Sequence, residues 1–552
     1  MTSGPFKPRA SANSVPFLLF HVLALIFVLC PGPCSAEPDE ANLQDIIKSA
    51  RELRALMQLD PHRPIYHFVA PEGHAIPFDP NGGIYWKGKY HLGFIYQTRP
   101  SRNFSPDNGL VWGHAVSADL LHWTLYPDML NVKDGDRETG IFSGGAFLSK
   151  EGVPHLIYYG YGAAANNIAY ATDDDLKVWK RSENNPALLD PHPENDDPGM
   201  NPFESPAPYS VFDPDAWYDK TADSYYQISG GAKPALFKSR DMRKWSYLGD
   251  LIDKKNTMRD PYEDLSCPEF FSLGNGKSML LFISHTWGAQ YYIGTFGNDR
   301  FTVERHARMN WPGGSFFSPE QLQDDKGRNI IWGWIIERKP PHLPDYGWSG
   351  IMSLPRVLAL GNDGKLRIDP AEEIKAARVV ETKDEDIELA PGKERTLKAR
   401  GKSIELKLEI SGAETSPVGV KVFASPDGRE ETLITYDPQR KELVVDFSKS
   451  SVKSPVLIPA TIFPFHGSEV AGYPKNVSEQ RAPLELEKGE TLELNIFLDR
   501  SVIEVFANGI QCITQVVYPE LETSTGVKVF SGKEKVTVKN IQSWTMAETN
   551  PY

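Results

Sequence analysis

The chain has 552 residues, a formal net charge of −14 at pH 7 and a pI near 5.5. A chain of this length exceeds one compact core and predicts two domains after processing. The acidic balance argues against nucleic acid as a partner, because a polyanion requires a basic face. The 12 Trp and 22 Tyr include rings suited to stacking on the apolar faces of sugars.

Residues 1–36 have the order of a cleaved secretory signal peptide. Lys7 and Arg9 form the basic region, residues 15–29 form an apolar run, and Cys34-Ser35-Ala36 supplies small residues before a cleavage site. The apolar run is short for a membrane span. We therefore predict a secreted or periplasmic protein with no membrane attachment after cleavage. Cleavage removes two of the four cysteines, so no disulfide framework is expected.

Residues 60–370 are predicted to form a five-bladed β-propeller. After a helical stretch near residues 41–58, short aromatic strands alternate with Gly, Pro and Asp, and no helical periodicity is sustained. A degenerate repeat begins at Asp119, Asp175 and Asp241 and ends each time on a tryptophan four residues later. A recurring unit of this size with several strands is typical of propeller blades.

Residues 380–552 have a different texture and are predicted to form a β-sandwich. Charged and apolar residues alternate in segments such as 403–410 and 503–508. Alternation of this kind places one face of a strand in a core and the other in water. The fold class predicted for the chain is therefore all-β, with a propeller followed by a sandwich.

Acidic residues near Pro-marked strand ends suggest a shared acid/base site. Asp79 lies in an Asp-Pro-Asn-Gly turn before an apolar run of strand length. Further acidic clusters surround Asp213 and, later, Glu263 with Asp264. Carboxylates from distant blocks suit glycoside hydrolysis, which uses a pair of carboxyl groups.

Seven short segments carry a resemblance to a known enzyme family. They are Asp79-Pro80-Asn81-Gly82, residues 112–117, Phe142-Ser143-Gly144-Gly145, Ser318-Pro319-Glu320, Gly327-Arg328, Leu354-Pro355-Arg356 and residues 499–506. In this order they resemble the family 32 glycoside hydrolases, the β-fructofuranosidases that include invertases, inulinases and levanases. The resemblance covers nearly the whole chain after residue 36.

The resemblance implies a retaining mechanism with two carboxylates and a third that stabilises the transition state. At the matching positions Asp79 is the nucleophile and Asp213 the stabiliser. The side chains that it implies for the fructose pocket are Gln97, Trp112, Phe142 and Ser143. No cofactor is implied, and the histidines lack metal-ligand spacing, so no catalytic metal is expected.

Three positions depart from the family pattern: Phe78 replaces the usual Asn, Phe212 replaces an Arg, and Ser266 replaces the acid/base Glu. A serine cannot protonate a glycosidic oxygen at neutral pH, so another acid is required. Asp264 faces the same side of an extended strand as Ser266. Glu263 is out of phase, but a bulge could re-aim it. The two are candidates of equal weight.

Either candidate acid is expected to lie about 5–6 Å from the Asp79 carboxylate and to have a raised pKa. Glu269 is a weaker candidate and is expected to be structural.

We therefore predict a secreted glycoside hydrolase that acts on fructose-containing oligo- or polysaccharides of the sucrose, inulin or levan type. Two alternatives stay open. Phe78 and Phe212 leave room for a related propeller enzyme active on another furanoside such as arabinan. Ser266 leaves room for a non-catalytic carbohydrate-binding protein that has lost the acid.

Overall fold

The structure is a computed structural model that describes residues 40–71, 75–99, 104–132, 135, 137–191, 207–252, 263–463 and 474–550. In these ranges one long helix, α1 (Glu40–Gln58), agrees with the predicted helical stretch. The predicted signal peptide lies outside the described residues. No helix within them combines the length and apolar character that a bilayer crossing needs.

Five antiparallel sheets follow one another along the described chain from residue 78 to residue 370. The first contains β1 (Phe78–Trp86), β2 (Lys89–Gln97), β3 (Leu110–Ser117) and β4 (Trp123–Leu130). The second contains β5 (Gly140–Leu148), β6 (Pro154–Tyr161), β7 (Ala165–Ala171), β8 (Trp179–Arg181) and β9 (Leu188–Leu189). The third contains β10 (Pro214–Asp219), β11 (Ser224–Ser229), β12 (Ala235–Ser239) and β13 (Ser246–Asp250).

The fourth sheet contains β14 (Ser266–Gly274), β15 (Lys277–Ser284), β16 (Gly288–Gly297) and β17 (Arg300–Arg308). The fifth contains β18 (Phe316–Gln323), β19 (Asn329–Ile335), β20 (Ile351–Met352), β21 (Arg356–Leu360) and β22 (Leu366–Pro370). The first strands of the five sheets contact one another in a ring, in the order β1, β5, β10, β14, β18 and back to β1. This radial arrangement is a five-bladed β-propeller and confirms the predicted fold of this part.

The sequence repeat marks the turn into the outermost strand of three blades. In each copy the residue after the Asp has a positive φ: 66° at Leu120, 57° at Leu176 and 60° at Met242. In the first copy the Asp119 carboxylate accepts hydrogen bonds from the backbone N–H groups of the residues two and three positions later. In the third copy Asp241 accepts from the Arg243 N–H at 3.0 Å, whereas in the second copy Asp173, two residues before the repeat aspartate, accepts from the Lys177 and Val178 N–H groups. An aspartate carboxylate therefore supports the strained turn in all three blades.

The innermost strand of four blades contains a β-bulge near its beginning. The register shifts at Asp79 in β1, at residues 142–143 in β5, at Cys267 in β14 and at Ser318 in β18. Asp79, Cys267 and Ser318 have φ values of 27°, 46° and 40°, and a proline follows each of them. Proline cannot donate to the sheet ladder, and a bulge re-aims the side chain that it carries.

The C-terminal strands form two packed sheets. One contains β23 (Arg378–Lys383), β24 (Ile387–Leu389), β26 (Ser403–Ser411), β33 (Leu492–Asp499), β34 (Val502–Ala507), β35 (Gln511–Val516) and β37 (Val536–Met546). The other contains β25 (Glu394–Arg400), β27 (Val418–Ala424), β28 (Thr432–Asp437), β29 (Glu442–Asp446), β32 (Glu479–Pro483) and β36 (Gly526–Ser531). Alternate residues of these strands share one apolar core, as the predicted β-sandwich requires. A short pair, β30 (Ile458–Pro459) and β31 (Asn476–Val477), lies beside them.

Asp499 joins the sandwich to the segment that enters the propeller. Its buried carboxylate accepts hydrogen bonds at 2.9 Å from the backbone N–H groups of Ile65, Tyr66 and His67. It also lies 3.0 Å from His67 Nδ1 and accepts from Ser403 Oγ at 3.2 Å. Loss of a buried acceptor with this many donors costs more than the loss of an ordinary hydrogen bond, because each donor is left unsatisfied.

Asp499→Asn is therefore expected to lower the free energy of unfolding by about 2–4 kcal/mol, since the amide has only one acceptor oxygen for these donors. Urea denaturation followed by tryptophan fluorescence measures the change. Asp363→Asn is the control. The Asp363 side chain is 44% exposed beside Arg367, so this substitution should lower the free energy of unfolding by less than about 1 kcal/mol. Equal losses in the two variants would contradict the role given to Asp499.

Candidate active site

Asp79 lies at the inner end of β1 with only 7% of its surface exposed. Its Oδ2 accepts a hydrogen bond from Ser143 Oγ at 3.1 Å, and its Oδ1 has no hydrogen-bond partner among the residues that the structure describes. Asn81 fixes this arrangement: its Nδ2 donates to the Asp79 carbonyl at 2.8 Å, and its Oδ1 accepts from the Gly144 N–H at 2.9 Å. The Asn of the Asp-Pro-Asn turn thus connects β1 to β5, a role that the turn motif alone does not indicate.

Asp213 directly precedes β10 and is also buried. Its Oδ2 accepts hydrogen bonds from the Cys267 backbone N–H at 3.1 Å and from the Cys267 thiol at 3.4 Å. Its Oδ1, like that of Asp79, lacks a partner in the described part of the chain. Ser318 Oγ donates to the Cys267 sulfur at 3.2 Å, so the bulges of β14 and β18 are in contact beside this carboxylate.

Burial raises the pKa values of both aspartates, and the negative charge of Asp213 adds to the shift at Asp79. Burial, and then the negative charge of Asp213, raise the pKa of Asp79 to about 7 against the opposing effects of Ser143, His285 and Ser318. Burial raises the pKa of Asp213 to about 6, although the positive charge of His285 lowers it. The structure therefore brings the predicted nucleophile and the predicted stabiliser together in one buried site.

Asp264 is a buried hydrogen-bond acceptor. Ser266 Oγ donates to its Oδ2 at 2.7 Å, His285 Nδ1 lies 2.7 Å from the same oxygen, and the His285 N–H donates to Oδ1 at 2.9 Å. Burial raises the pKa of Asp264, but the charge and hydrogen bonds of His285, with the bond from Ser266, outweigh it and the net pKa is lowered. This is the opposite of the shift expected for a proton donor, and its physical reason is the neighbouring histidine.

Glu263 is paired with a cation. Its Oε1 lies 2.8 Å from Arg308 Nη2, and only 2% of its side chain is exposed. A carboxylate held by a guanidinium is poorly suited to donate a proton, because the cation favours its charged form. The contacts of Glu263 and Asp264 thus favour neither as the displaced acid.

Glu269 belongs to a separate buried cluster with Asp215 and Glu320. Burial, Glu320 and Asp215 raise the pKa of Glu269 well above its usual range. Glu320 accepts a hydrogen bond from the Gly83 N–H at 2.5 Å, and Asp215 accepts one from the Phe270 N–H at 2.7 Å. These contacts link the inner ends of the blades and agree with a structural role for Glu269.

Three further residues were predicted to line the pocket. Trp112 is fully buried, and its Nε1 donates to the Phe142 carbonyl at 3.0 Å, so it supports the bulge of β5. Phe142 is partly exposed and packs 5.4 Å from the ring of Tyr161. Gln97 Oε1 accepts from the Ser105 N–H at 2.8 Å, while its buried Nε2 has no partner among the described residues. Their contacts with a sugar stay a prediction, as does the absence of a metal.

Aromatic contacts surround the two positions where phenylalanine replaces a polar residue of the family pattern. Phe78 lies 5.6 Å from the ring of Trp334 and 5.4 Å from that of Phe104. Phe212 lies 5.1 Å from the ring of Tyr159. The walls beside Asp79 and Asp213 are therefore more apolar than the family pattern implies.

Comparison with known proteins places this site in a family. Residues 67–370 match the model of the Glycosyl hydrolases family 32 N-terminal domain, and residues 373–545 match that of the Glycosyl hydrolases family 32 C terminal. The chain belongs to glycosyl hydrolase family 32. This confirms the resemblance carried by the seven sequence segments and the expectation of a glycoside hydrolase.

Individual relatives of this family 32 chain are distant in sequence but cover most of its length. A fructan 1-exohydrolase of Triticum urartu is 27% identical over 541 residues, which cover 85% of each chain. A levanase of Bacillus subtilis (strain 168) is 27% identical over 519 residues, which cover 87% of this chain and 70% of the levanase.

Solved structures share the fold. Fructan 1-exohydrolase IIa from Cichorium intybus superposes with a TM-score of 0.73 and 21% identity, covering 89% of this chain and 98% of that one. Exo-inulinase from Aspergillus awamori gives a TM-score of 0.69 and 20% identity, covering 89% and 99% respectively. At such identities the likeness confirms the all-β architecture of propeller and sandwich.

The raised pKa of Asp79 predicts that Asp79→Asn stabilises the protein at alkaline pH. The unfolded aspartate ionises near pH 4 and the folded one near pH 7, so the cost of the buried charge is absent below pH 4, grows up to pH 7 and is then constant. The free energy of unfolding of the variant, relative to that of the wild type, should be roughly 2–3 kcal/mol higher at pH 8 than at pH 5. Urea unfolding at both pH values measures this gain, and the exposed Asp363→Asn should not show it. A gain that shrinks as pH rises would contradict the burial argument.

Proposed function

We propose that this protein hydrolyses β-fructofuranosidic bonds with retention of configuration, using Asp79 as the nucleophile. The main support is the pair of buried carboxylates, Asp79 and Asp213, which interact electrostatically. Each has one oxygen without a hydrogen-bond partner in the described part of the chain. Buried acceptors without partners are uncommon in folded proteins, so each one needs an explanation. A bound sugar ring at this position would supply both the electrophile for one oxygen and hydroxyl donors for the other.

The proposed chemistry follows from these positions. The Asp79 carboxylate attacks the anomeric carbon and forms a glycosyl ester, which water then hydrolyses. Asp213, held by the Cys267 N–H, stabilises the positive charge that develops on the sugar ring. Ser143 holds the Asp79 carboxylate in one orientation while the sugar binds.

The substrate class is supported by the relatives. The curated relatives and solved structures include fructan exohydrolases, a levanase and β-fructofuranosidases, all named for action on fructose-containing saccharides. We therefore propose fructose-containing oligo- or polysaccharides as substrates of this chain.

A second candidate function is sugar binding without turnover. Three observations favour it: Ser266 occupies the position of the family's acid, Asp264 has a lowered pKa, and Glu263 is paired with Arg308. A protein of this kind would bind fructans in the same pocket but release no fructose.

Asp79→Asn should lower kcat for fructose release on the order of 10⁴-fold while leaving sugar binding measurable, because the amide cannot form the glycosyl ester. The assay incubates the wild type and the variant with sucrose, inulin, levan and arabinan and measures the released monosaccharide. The anomeric configuration of the first product, followed by NMR, reports retention. Asp363→Asn is the matched control and should keep full activity.

The outcomes separate the candidates. Turnover of arabinan in preference to the three fructosides would replace the proposed substrate by another furanoside. Calorimetric binding of fructans by the wild type with no release of monosaccharide would establish the binding protein instead.

We also propose that residues 1–36 are removed and that the mature protein is secreted. The support is the order of basic, apolar and small residues in the sequence. N-terminal sequencing of the protein recovered from the medium of expressing cells tests this, and a mature chain that retains Lys7 and Arg9 would contradict it.

A further inference from the structure

The hairpin of β14 and β15 places a histidine opposite Asp264. Ser266 pairs with Ile283 in the antiparallel register of these strands. Asp264 lies two residues before Ser266, and His285 lies two residues after Ile283. In an antiparallel pair these two residues therefore stand opposite each other. Direct opposition of this kind brings two side chains together on the same face of a sheet.

The contacts confirm that the two side chains form one unit. Asp264 binds both the backbone N–H and the Nδ1 of His285, at 2.9 and 2.7 Å, and it receives a third hydrogen bond from Ser266. Only 1% of the Asp264 side chain is exposed, whereas 25% of the His285 side chain is exposed. The aspartate is thus an enclosed acceptor, and the imidazole is the exposed end of the pair.

The imidazole lies within electrostatic reach of the two reacting carboxylates. The positive charge of His285 lowers the pKa of Asp79 and that of Asp213. Burial lowers the pKa of His285 itself, but the negative charges of Asp264, Asp213 and Asp79 outweigh it and the net pKa is raised. Asp264 lies just before β14, Asp213 just before β10 and Asp79 in β1, so negative charge reaches the ring from three blades.

We propose that His285 is the general acid/base of this site, in place of the carboxyl group that Ser266 has removed, and that Asp264 is its positioning residue. The inference rests on the proposed function and names a catalytic residue for it. A histidine oriented by a buried aspartate is a known device for moving protons at neutral pH.

The steps balance without any further reactant. The His285 imidazolium gives the proton on Nε2 to the glycosidic oxygen as the bond from that oxygen to the anomeric carbon breaks and the Asp79 ester forms. The neutral imidazole then takes a proton from water while the hydroxide attacks the anomeric carbon. The ester bond breaks, and the Asp79 carboxylate and the imidazolium are restored.

Ser266 fits this arrangement as a member of the same set. Its hydroxyl donates to Asp264, whereas a carboxylate at position 266 would stand beside the Asp264 carboxylate and repel it. The loss of the family's Glu and the presence of the Asp264–His285 pair are therefore physically linked.

The deciding experiment compares His285→Gln with wild type on sucrose and on a nitrophenyl β-fructofuranoside, whose leaving group needs little protonation. We expect kcat/KM to fall about 10²–10⁴-fold on sucrose and less than about tenfold on the activated substrate. Azide, a nucleophile that needs no base, should then accelerate turnover of the activated substrate by His285→Gln but not by Asp79→Asn. His306→Gln is the matched control, because His306 is bonded to Gln290 on the outer part of the fourth blade.

Asp264→Asn tests the positioning role through the pH profile. The negative charge of Asp264 raises the pKa of His285, so its removal should lower that pKa. The fall of kcat/KM on the alkaline side of the pH profile should then occur at a pH lower by roughly one unit. A merely structural role would lower the rate at every pH and leave the limb in place.

Equal losses on sucrose and the activated substrate, or losses below threefold on both, would overturn the assignment of His285. Turnover of the activated substrate also shows that the variant is folded. If the wild type releases nothing from any fructoside, the proposed function is wrong. A fully active His285→Gln variant would instead contradict only the role given to His285 and leave the proposed function in place.

Discussion

The bulges at the inner ends of the blades are the constraint on which the site depends. In a regular strand, the side chains of Asp79, Ser143, Cys267 and Ser318 would project from the two faces of their own sheets. One extra residue in each strand changes the direction of these side chains, and they meet between blades: Ser143 donates to Asp79, and Ser318 donates to Cys267. A proline follows Asp79, Cys267 and Ser318, and proline has no N–H to donate to a regular sheet ladder at that position. The positions of the side chains in the candidate site therefore depend on β-bulges in the innermost strands.

Burial then determines what these side chains can do. Asp79 and Asp213 are enclosed so completely that their ionisation is costly, and the nearby histidine partly offsets that cost. In a second group of carboxyl groups, burial raises the pKa of Asp215 to about 7 and that of Glu320 to about 8, and it raises the pKa of Glu269 well above its usual range. Carboxyl groups near His285 thus have a cation that lowers their pKa values, whereas Asp215 and Glu320 of the second group accept backbone hydrogen bonds.

The sequence predicts much of this, because its strongest signals are local. The repeat that ends in tryptophan marks three blades, and the turns before the last strands of the other two blades do not show it. Asp79 and Asp213 are found through motifs that surround them. Asp264 does share a face with Ser266, as the strand period requires.

The direction of the Asp264 pKa shift was beyond local reasoning. It depends on His285, which lies 21 residues away and meets Asp264 only through the register of a hairpin that contains a bulge. No sequence motif surrounds His285, so nothing local indicates that its imidazole lies beside this site. The roles of Asn81 and Ser318 were missed for a similar reason, since each depends on a contact between separate blades.

The carbonyl of His285 accepts a hydrogen bond from the backbone N–H of Phe463, and the carbonyl of Thr286 accepts one from Ile462. Both donors follow β30 and so belong to the C-terminal region, not to the propeller. The end of β15 is consequently clamped by a second domain, and Phe463 also packs 5.4 Å from Phe317. If His285 moves the proton, catalysis is contingent on domain docking. Separation of the propeller from the C-terminal region would then remove the two hydrogen bonds that hold the carbonyls of His285 and Thr286.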